Sequence, residues 1–171
     1  AIVFATGAIE RPLVFSGNDM PGVMLASALR TYLNRYAIAP ASRAVVATNN
    51  DSAYEAAFDL ANAGVAVTVV DHRQIIPSDL LSKSAMLGMA IFPGTGIEEV
   101  FARSRGLKVR LAGSHAAEID CDCLGMSGGW SPVVHLTSHS GIRPKYDEEI
   151  AAFVPGGFAQ GHFAAGAVRG E

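Results

Sequence analysis

Between residues 43 and 71 the chain reads as an apolar run, a polar turn, an alanine-rich helical pattern and a second apolar run. Arg43–Ala47 is short, apolar and β-branched, and Thr48–Ser52 is polar. Ala53–Ala63 carries Tyr54, Phe58 and Leu60 at helical spacing, Gly64 closes it, and Val65–Val70 is a second strand pattern ending in Asp71. Continuous apolar strands joined by a helix of this length predict a parallel βαβ unit. Upstream, Val23, Leu25, Ala26, Leu29, Tyr32, Leu33 and Tyr36 recur at helical spacing, so residues 22–36 read as an amphipathic helix that stops before Pro40. Residues 1–5 read as a buried strand and 8–21 as a loop. Downstream, a helix over 78–87 and a strand over 89–92 are predicted, then an alternating antiparallel ribbon over 97–122. A further parallel strand over 121–126 runs into Ser127-Gly128-Gly129. Residues 130–171 are loop-rich, with a last apolar stretch at 162–165. The pattern specifies an α/β, Rossmann-like three-layer domain with a parallel β-sheet and a small antiparallel β-ribbon.

Composition narrows the function classes. Half of the 171 residues are apolar and 17% are charged, which fits a packed domain rather than a disordered segment. Thirteen Lys and Arg against 16 Asp and Glu, with no basic cluster, argue against a nucleic-acid partner. No apolar run reaches the roughly 20 residues that cross a bilayer, and the expected location is cytoplasmic, with no membrane partner. Cys121 and Cys123 have one residue between them and are expected to face opposite ways; they read as reduced thiols rather than a disulfide, metal or redox pair. The chain opens directly into a strand pattern at Ala1, which reads as a segment of a larger subunit.

The turn at 48–53 occupies the place where dinucleotide folds carry Gly-x-Gly-x-x-Gly, but the three positions here hold Thr48, Asn50 and Ala53. Ala53 preserves close packing of helix on strand, and Asn50 tolerates a left-handed backbone; Thr48 departs from the pattern. The start of the helix still offers unpaired N–H groups to an anion, with side-chain donors from Asn49, Asn50 and Ser52. Asp51 reads as the N-cap of that helix. Asp71, with His72 and Arg73 beside it, is placed to accept hydrogen bonds from an adenosine ribose; its carboxylate favours NAD over NADP, a discrimination that Arg73 weakens slightly. The plain alternatives are that the turn only caps a helix and that Asp71 only caps a loop. His72, His115, His135, His139 and His162 read as surface or loop residues, no metal site is assembled, and no nucleophile and base pair stands out. The catalytic set is therefore expected to be empty.

Several segments match a known family. Ala5-Thr6-Gly7 followed by Glu10-Arg11-Pro12 resembles the turn that leads from the flavin domain to the nicotinamide domain in flavoproteins with two dinucleotide-binding domains. Ser127-Gly128-Gly129 resembles the return segment, and Phe163-Ala164-Ala165-Gly166 the strand before the second flavin-contacting loop, although Ala167 replaces the acid that often follows. Arg30–Tyr36, Thr48–Tyr54 and Ser127–Pro132 are similar to the α subunits of heterotetrameric sarcosine oxidases, and the resemblance spans almost the whole chain. It implies a FAD/NAD-linked reductase type of fold and an NAD site in this chain, with FAD or FMN bound only in the full complex. It also implies partner subunits, and oxidative demethylation of sarcosine at residues outside these 171.

The resemblance implies a connector from the flavin domain over 1–20, an NAD-binding domain over 21–130 and a return segment over 131–171. On that reading the ribose meets Asp71, the pyrophosphate lies over 49–52, and the nicotinamide half lies near Ser127, Gly128 and Gly129. Two rival readings stay open: a Rossmann-like interaction scaffold that has lost the nucleotide with its glycines, and a component of a related opine- or glycine-oxidising complex.

Overall fold

The computed structural model describes residues 1–170 and divides into two compact units, one built from Ala1–Arg11 with the residues from Gly129 onward, the other from Pro12–Gly128. The first stretch carries β1 (Ile2–Phe4) and β2 (Ala8–Glu10). The larger unit follows with β3 (Val23–Leu25), α1 (Ala26–Tyr36), β4 (Arg43–Thr48), α2 (Ser52–Asn62), β5 (Ala66–Asp71), α3 (Ser78–Met86) and β6 (Ala90–Pro93). It continues with β7 (Thr95–Ala102), β8 (Leu107–Gly113), β9 (Glu118–Cys121) and β10 (Cys123–Ser127). The chain then returns to the first unit with β11 (Trp130–Pro132), α4 (His135–Ser138), β12 (Lys145–Asp147), β13 (Ala152–Val154), β14 (His162–Ala164) and a 3₁₀ turn at Gly166–Arg169.

In the larger unit five parallel strands stand in the order β3-β10-β4-β5-β6. Because side chains alternate along a strand, the sheet feeds two cores. Ala44 and Val46 of β4, with Val67 and Val69 of β5, pack with Leu29 of α1 and Tyr54, Phe58 and Leu60 of α2. Val45, Ala47 and Val70, with Leu124 and Met126 of β10, pack instead with Val100, Val109 and Leu111 of the antiparallel ribbon β7-β8-β9. The sheet is thus covered on both faces, as parallel sheets require, and the expected three layers are present.

The central βαβ unit lies within a residue or two of its predicted bounds, since both strand runs and the helical period between them are long enough to register. Three expectations change. Residues 1–5 do form a strand, but Ile2 and Val3 are exposed rather than buried, and β1 pairs with β14 in a two-stranded sheet. Residues 8–21 are not all loop, because β2 pairs with β11. The helix expected over 22–36 starts only at Ala26, and Val23–Leu25 is a strand on the edge of the sheet, paired with β10. Its apolar spacing continues the helical period, so only the tertiary pairing separates the two.

The interface between α1 and β10 depends on Gly125. A Cβ there would lie 2.5 Å from Leu29 Cδ1 and 3.5 Å from Ala26 Cα, and Leu29 is fully buried. Gly125→Ala must push Leu29 off its rotamer, and the expected cost is about 1–3 kcal/mol. Chemical denaturation measures it; an unchanged midpoint would show that helix and strand have slack here.

Candidate functional site

The carboxyl ends of β10, β4 and β5 lie side by side, with Ser127 opposite Thr48 and Thr48 opposite Asp71 in the registers. In open parallel sheets this edge is where ligands bind, and the β4 to α2 turn sits on it.

The turn holds itself together without glycine. Thr48 is buried; its hydroxyl accepts from the Asn50 amide N–H at 3.1 Å and donates to the Asn50 carbonyl at 3.0 Å. The side chain thereby closes a two-residue turn on its own backbone. Asn50 Oδ1 accepts from the Ser52 amide at 3.1 Å and the Ser52 hydroxyl at 2.6 Å, while Nδ2 donates to the Ser127 carbonyl at 3.2 Å, the Ser127 hydroxyl at 3.1 Å and Asn49 Oδ1 at 3.1 Å. Asn50 therefore straps the start of α2 to the end of β10. The expectation that Asp51 caps α2 through its side chain is corrected: Asp51 occupies the N-cap position but makes no capping hydrogen bond. The first free amide goes to Asn50, because the Asp51 carboxylate is drawn to Arg73 Nη1 at 2.6 Å.

Asp71 is wholly buried at the end of β5. Oδ1 accepts from the Arg73 amide at 2.9 Å and Arg73 Nε at 3.1 Å; Oδ2 accepts from Arg73 Nη2 at 2.8 Å and from the Tyr54 hydroxyl at 3.0 Å. Four donors meet the roughly four lone-pair positions of the carboxylate. A buried charge requires this degree of pairing. Burial, then the Asp71 charge and its hydrogen bond, raise the pKa of Tyr54 well above the usual phenol value, and the hydrogen bond to Asp71 leads the causes that raise that of Arg73. His72 is exposed, its amide donating to the Thr48 carbonyl at 2.9 Å.

The structure thus brings Thr48, Asn49, Asn50, Asp51, Ser52, Asp71, His72, Arg73 and Ser127 to one edge of one unit, with Gly128 ending that unit. Gly129 begins the other, where its carbonyl accepts from the Arg11 amide at 2.8 Å. The sequence reading missed Tyr54. Its hydroxyl marks it: a buried tyrosine requires a polar partner, and Asp71 is the acid across the strand from its helix.

Cys121 and Cys123 divide between the two cores, Cys121 on the ribbon side and Cys123 on the helix side. Residues two apart on one strand would share a face; the two part because Cys121 ends β9 and Cys123 begins β10, with Asp122 between the strands. Burial pushes the Cys121 thiol up to about 12 and the Cys123 thiol to about 11. Unfolded thiols ionise near ~8.5, so this contribution to stability is present below that pH and is lost progressively as pH rises through the folded values. At pH 8 a thiol reagent is expected to label neither cysteine until the protein is denatured. Labelling of the folded protein at the rate of a free thiol would show that these strands open.

No protein-family model matches the chain. The sarcosine oxidase α subunit of Rhizobium meliloti (strain 1021) is 42% identical over 166 residues, 96% of this chain and 16% of that protein. The counterpart from Corynebacterium sp. (strain P-1) is 38% identical over an alignment of 181 positions that covers 99% of this chain and 18% of that protein. The chain therefore spans less than a fifth of either relative. An opine oxidase subunit of Agrobacterium tumefaciens (strain Ach5) is 28% identical, covering 91% of this chain and 35% of that protein. Among solved structures, thioredoxin reductase of T. acidophilum superposes with a TM-score of 0.74 at 17% identity, over 97% of this chain and 56% of that one. Water-forming NADH oxidase of Lactobacillus brevis bound to NADH superposes with a TM-score of 0.62 at 16% identity, over 85% of this chain and 33% of that one. The fold is that of the FAD- and NAD-dependent reductases, and in sequence the chain is related, along almost its whole length, to one segment of the sarcosine oxidase α subunits.

Proposed function

We propose that this chain is the NAD-binding module of an oxidoreductase subunit of the sarcosine oxidase α type, contributing binding rather than bond-making to a multi-subunit flavoenzyme that oxidises secondary N-methyl amines. The observation that carries this reading is the start of α2 at the carboxyl edge of β4, between β10 and β5. Amides at a helix start favour an anion, and Asn49, Asn50 and Ser52 add neutral donors where a pyrophosphate would lie. Arg73 supplies the cation. Asn50 fits only in part, since its side chain occupies the space that a glycine leaves open; the amide must swing aside or turn Nδ2 toward phosphate.

On this reading the adenosine ribose lies at the end of β5, beside Asp71, His72 and Arg73, and the nicotinamide half extends toward Ser127 and Gly128. The smaller unit, with its two-stranded parallel β1-β14 ribbon and exposed Ile2, Val3 and Phe163, belongs to the return toward a flavin domain, because parallel pairs are normally covered on both faces. FAD or FMN and further subunits complete the assembly. The Asn50 strap also supports a second reading, in which the domain is a scaffold whose own side chain has replaced the nucleotide.

Calorimetric titration of the full-length protein with NAD and NADP at matched salt separates the two. Saturable NAD binding with weaker NADP binding is expected; a folded protein that binds neither supports the scaffold.

A further inference from the structure

The Arg73 guanidinium is shared between two acids of different standing. Asp71 is buried and takes Nε and Nη2, whereas the Asp51 side chain is 60% exposed and takes Nη1 alone. Of the five guanidinium N–H donors, three are used in these side-chain bonds, which leaves one hydrogen on Nη1 and one on Nη2. The Arg73 side chain is itself 28% exposed. Asp71 thus fixes the arginine in place, and the exposed Asp51 carboxylate engages it from the solvent side.

We propose that Asp51 is the residue that excludes a 2′-phosphorylated dinucleotide from this chain, by covering an arginine that Asp71 holds ready to receive one. The inference rests on the NAD reading above and names what sets its specificity. Asp71 has no lone pair to spare for a ribose hydroxyl, so the discriminating acid is the exposed one. A neutral 2′-hydroxyl can donate to the second Asp51 oxygen and accept from Arg73. A 2′-phosphate carries close to two negative charges; it needs the guanidinium that Asp51 occupies and meets the Asp51 charge at contact distance. Arginine binds phosphate well because its planar fork is preorganised, and Asp71 supplies that preorganisation whether or not Asp51 is present.

The test uses NAD and NADP titrations of the full-length protein and of three variants at Asp51, a position whose exposure keeps the fold out of the comparison. Asp51→Asn and Asp51→Ala are expected to tighten NADP binding at least about tenfold, with the gain shrinking at high salt. Asp51→Glu retains the charge and is expected to keep NADP excluded. Asp79→Asn removes an exposed acid in the first turn of α3 and controls for net charge. NADP affinity that stays at the wild-type value in Asp51→Asn and Asp51→Ala, an equal gain for NAD in those variants, a preference altered only through weaker NAD binding, or an equal gain in Asp79→Asn overturns the inference while the NAD reading stands. A wild-type protein that binds neither nucleotide overturns the NAD reading, and this inference with it.

Discussion

The buried carboxylate of Asp71 is the constraint around which this edge of the sheet is arranged. An unpaired charge at a site with no solvent access would cost several kcal/mol or would lose its charge. The structure meets that demand from two directions, with Tyr54 descending from α2 and Arg73 folding back from the residues after β5. Each bond also fixes geometry. Tyr54 ties the first turn of α2 to β5, and Arg73 reaches on to Asp51, tying the turn before α2 to the same point. Net stability from such a network is modest, because desolvation offsets most of the attraction. Removing Arg73, which leaves the buried Asp71 carboxylate without its cation, is another matter and costs about 3–5 kcal/mol.

The second constraint is the turn itself. Glycine-rich turns let a pyrophosphate approach because nothing projects from the backbone. Here Thr48 and Asn50 give rigidity by side-chain hydrogen bonds, and the Asn50 carboxamide lies across the helix start with both of its ends engaged. One amide of the helix start, that of Ser52, is therefore already bonded where an anion would bind, though by a dipole rather than a charge. A dinucleotide has to exchange contacts with this side chain. It does not simply fill a hole, and affinity here depends on how cheaply the carboxamide is rearranged.

What the sequence made legible divides along the same line. The strands at 43–48 and 66–71 and the helix between them follow from local period, and the structure places them within a residue or two. The cysteines face different cores only because one strand ends and the next begins between them, which a period of two does not show. β2 and β3 are three residues each and exist only through pairing with β11 and β10; nothing local distinguishes Val23–Leu25 from the helix it precedes. At the site, the residue types and their common edge were readable from the βαβ order. The partners were not. Asp51 looks like a helix cap because Asp is a good one, and it fails to act as one because a guanidinium from beyond the next strand competes for it.

That competition shows how one sequence signal carries two physical meanings. An acid at the end of the second strand reads as a ribose acceptor when its oxygens face solvent. With arginine two positions on, an alternative opens: the backbone leaving β5 turns, the Arg73 amide and side chain both reach the carboxylate, and the acid becomes an anchor for the cation. The distinguishing feature is then the pair rather than the acid, and with Tyr54 facing the same carboxylate all the partners of the anchored form are present in this chain. The outward-facing chemistry of the edge passes from Asp71 to the groups it holds, Arg73 and, through it, Asp51.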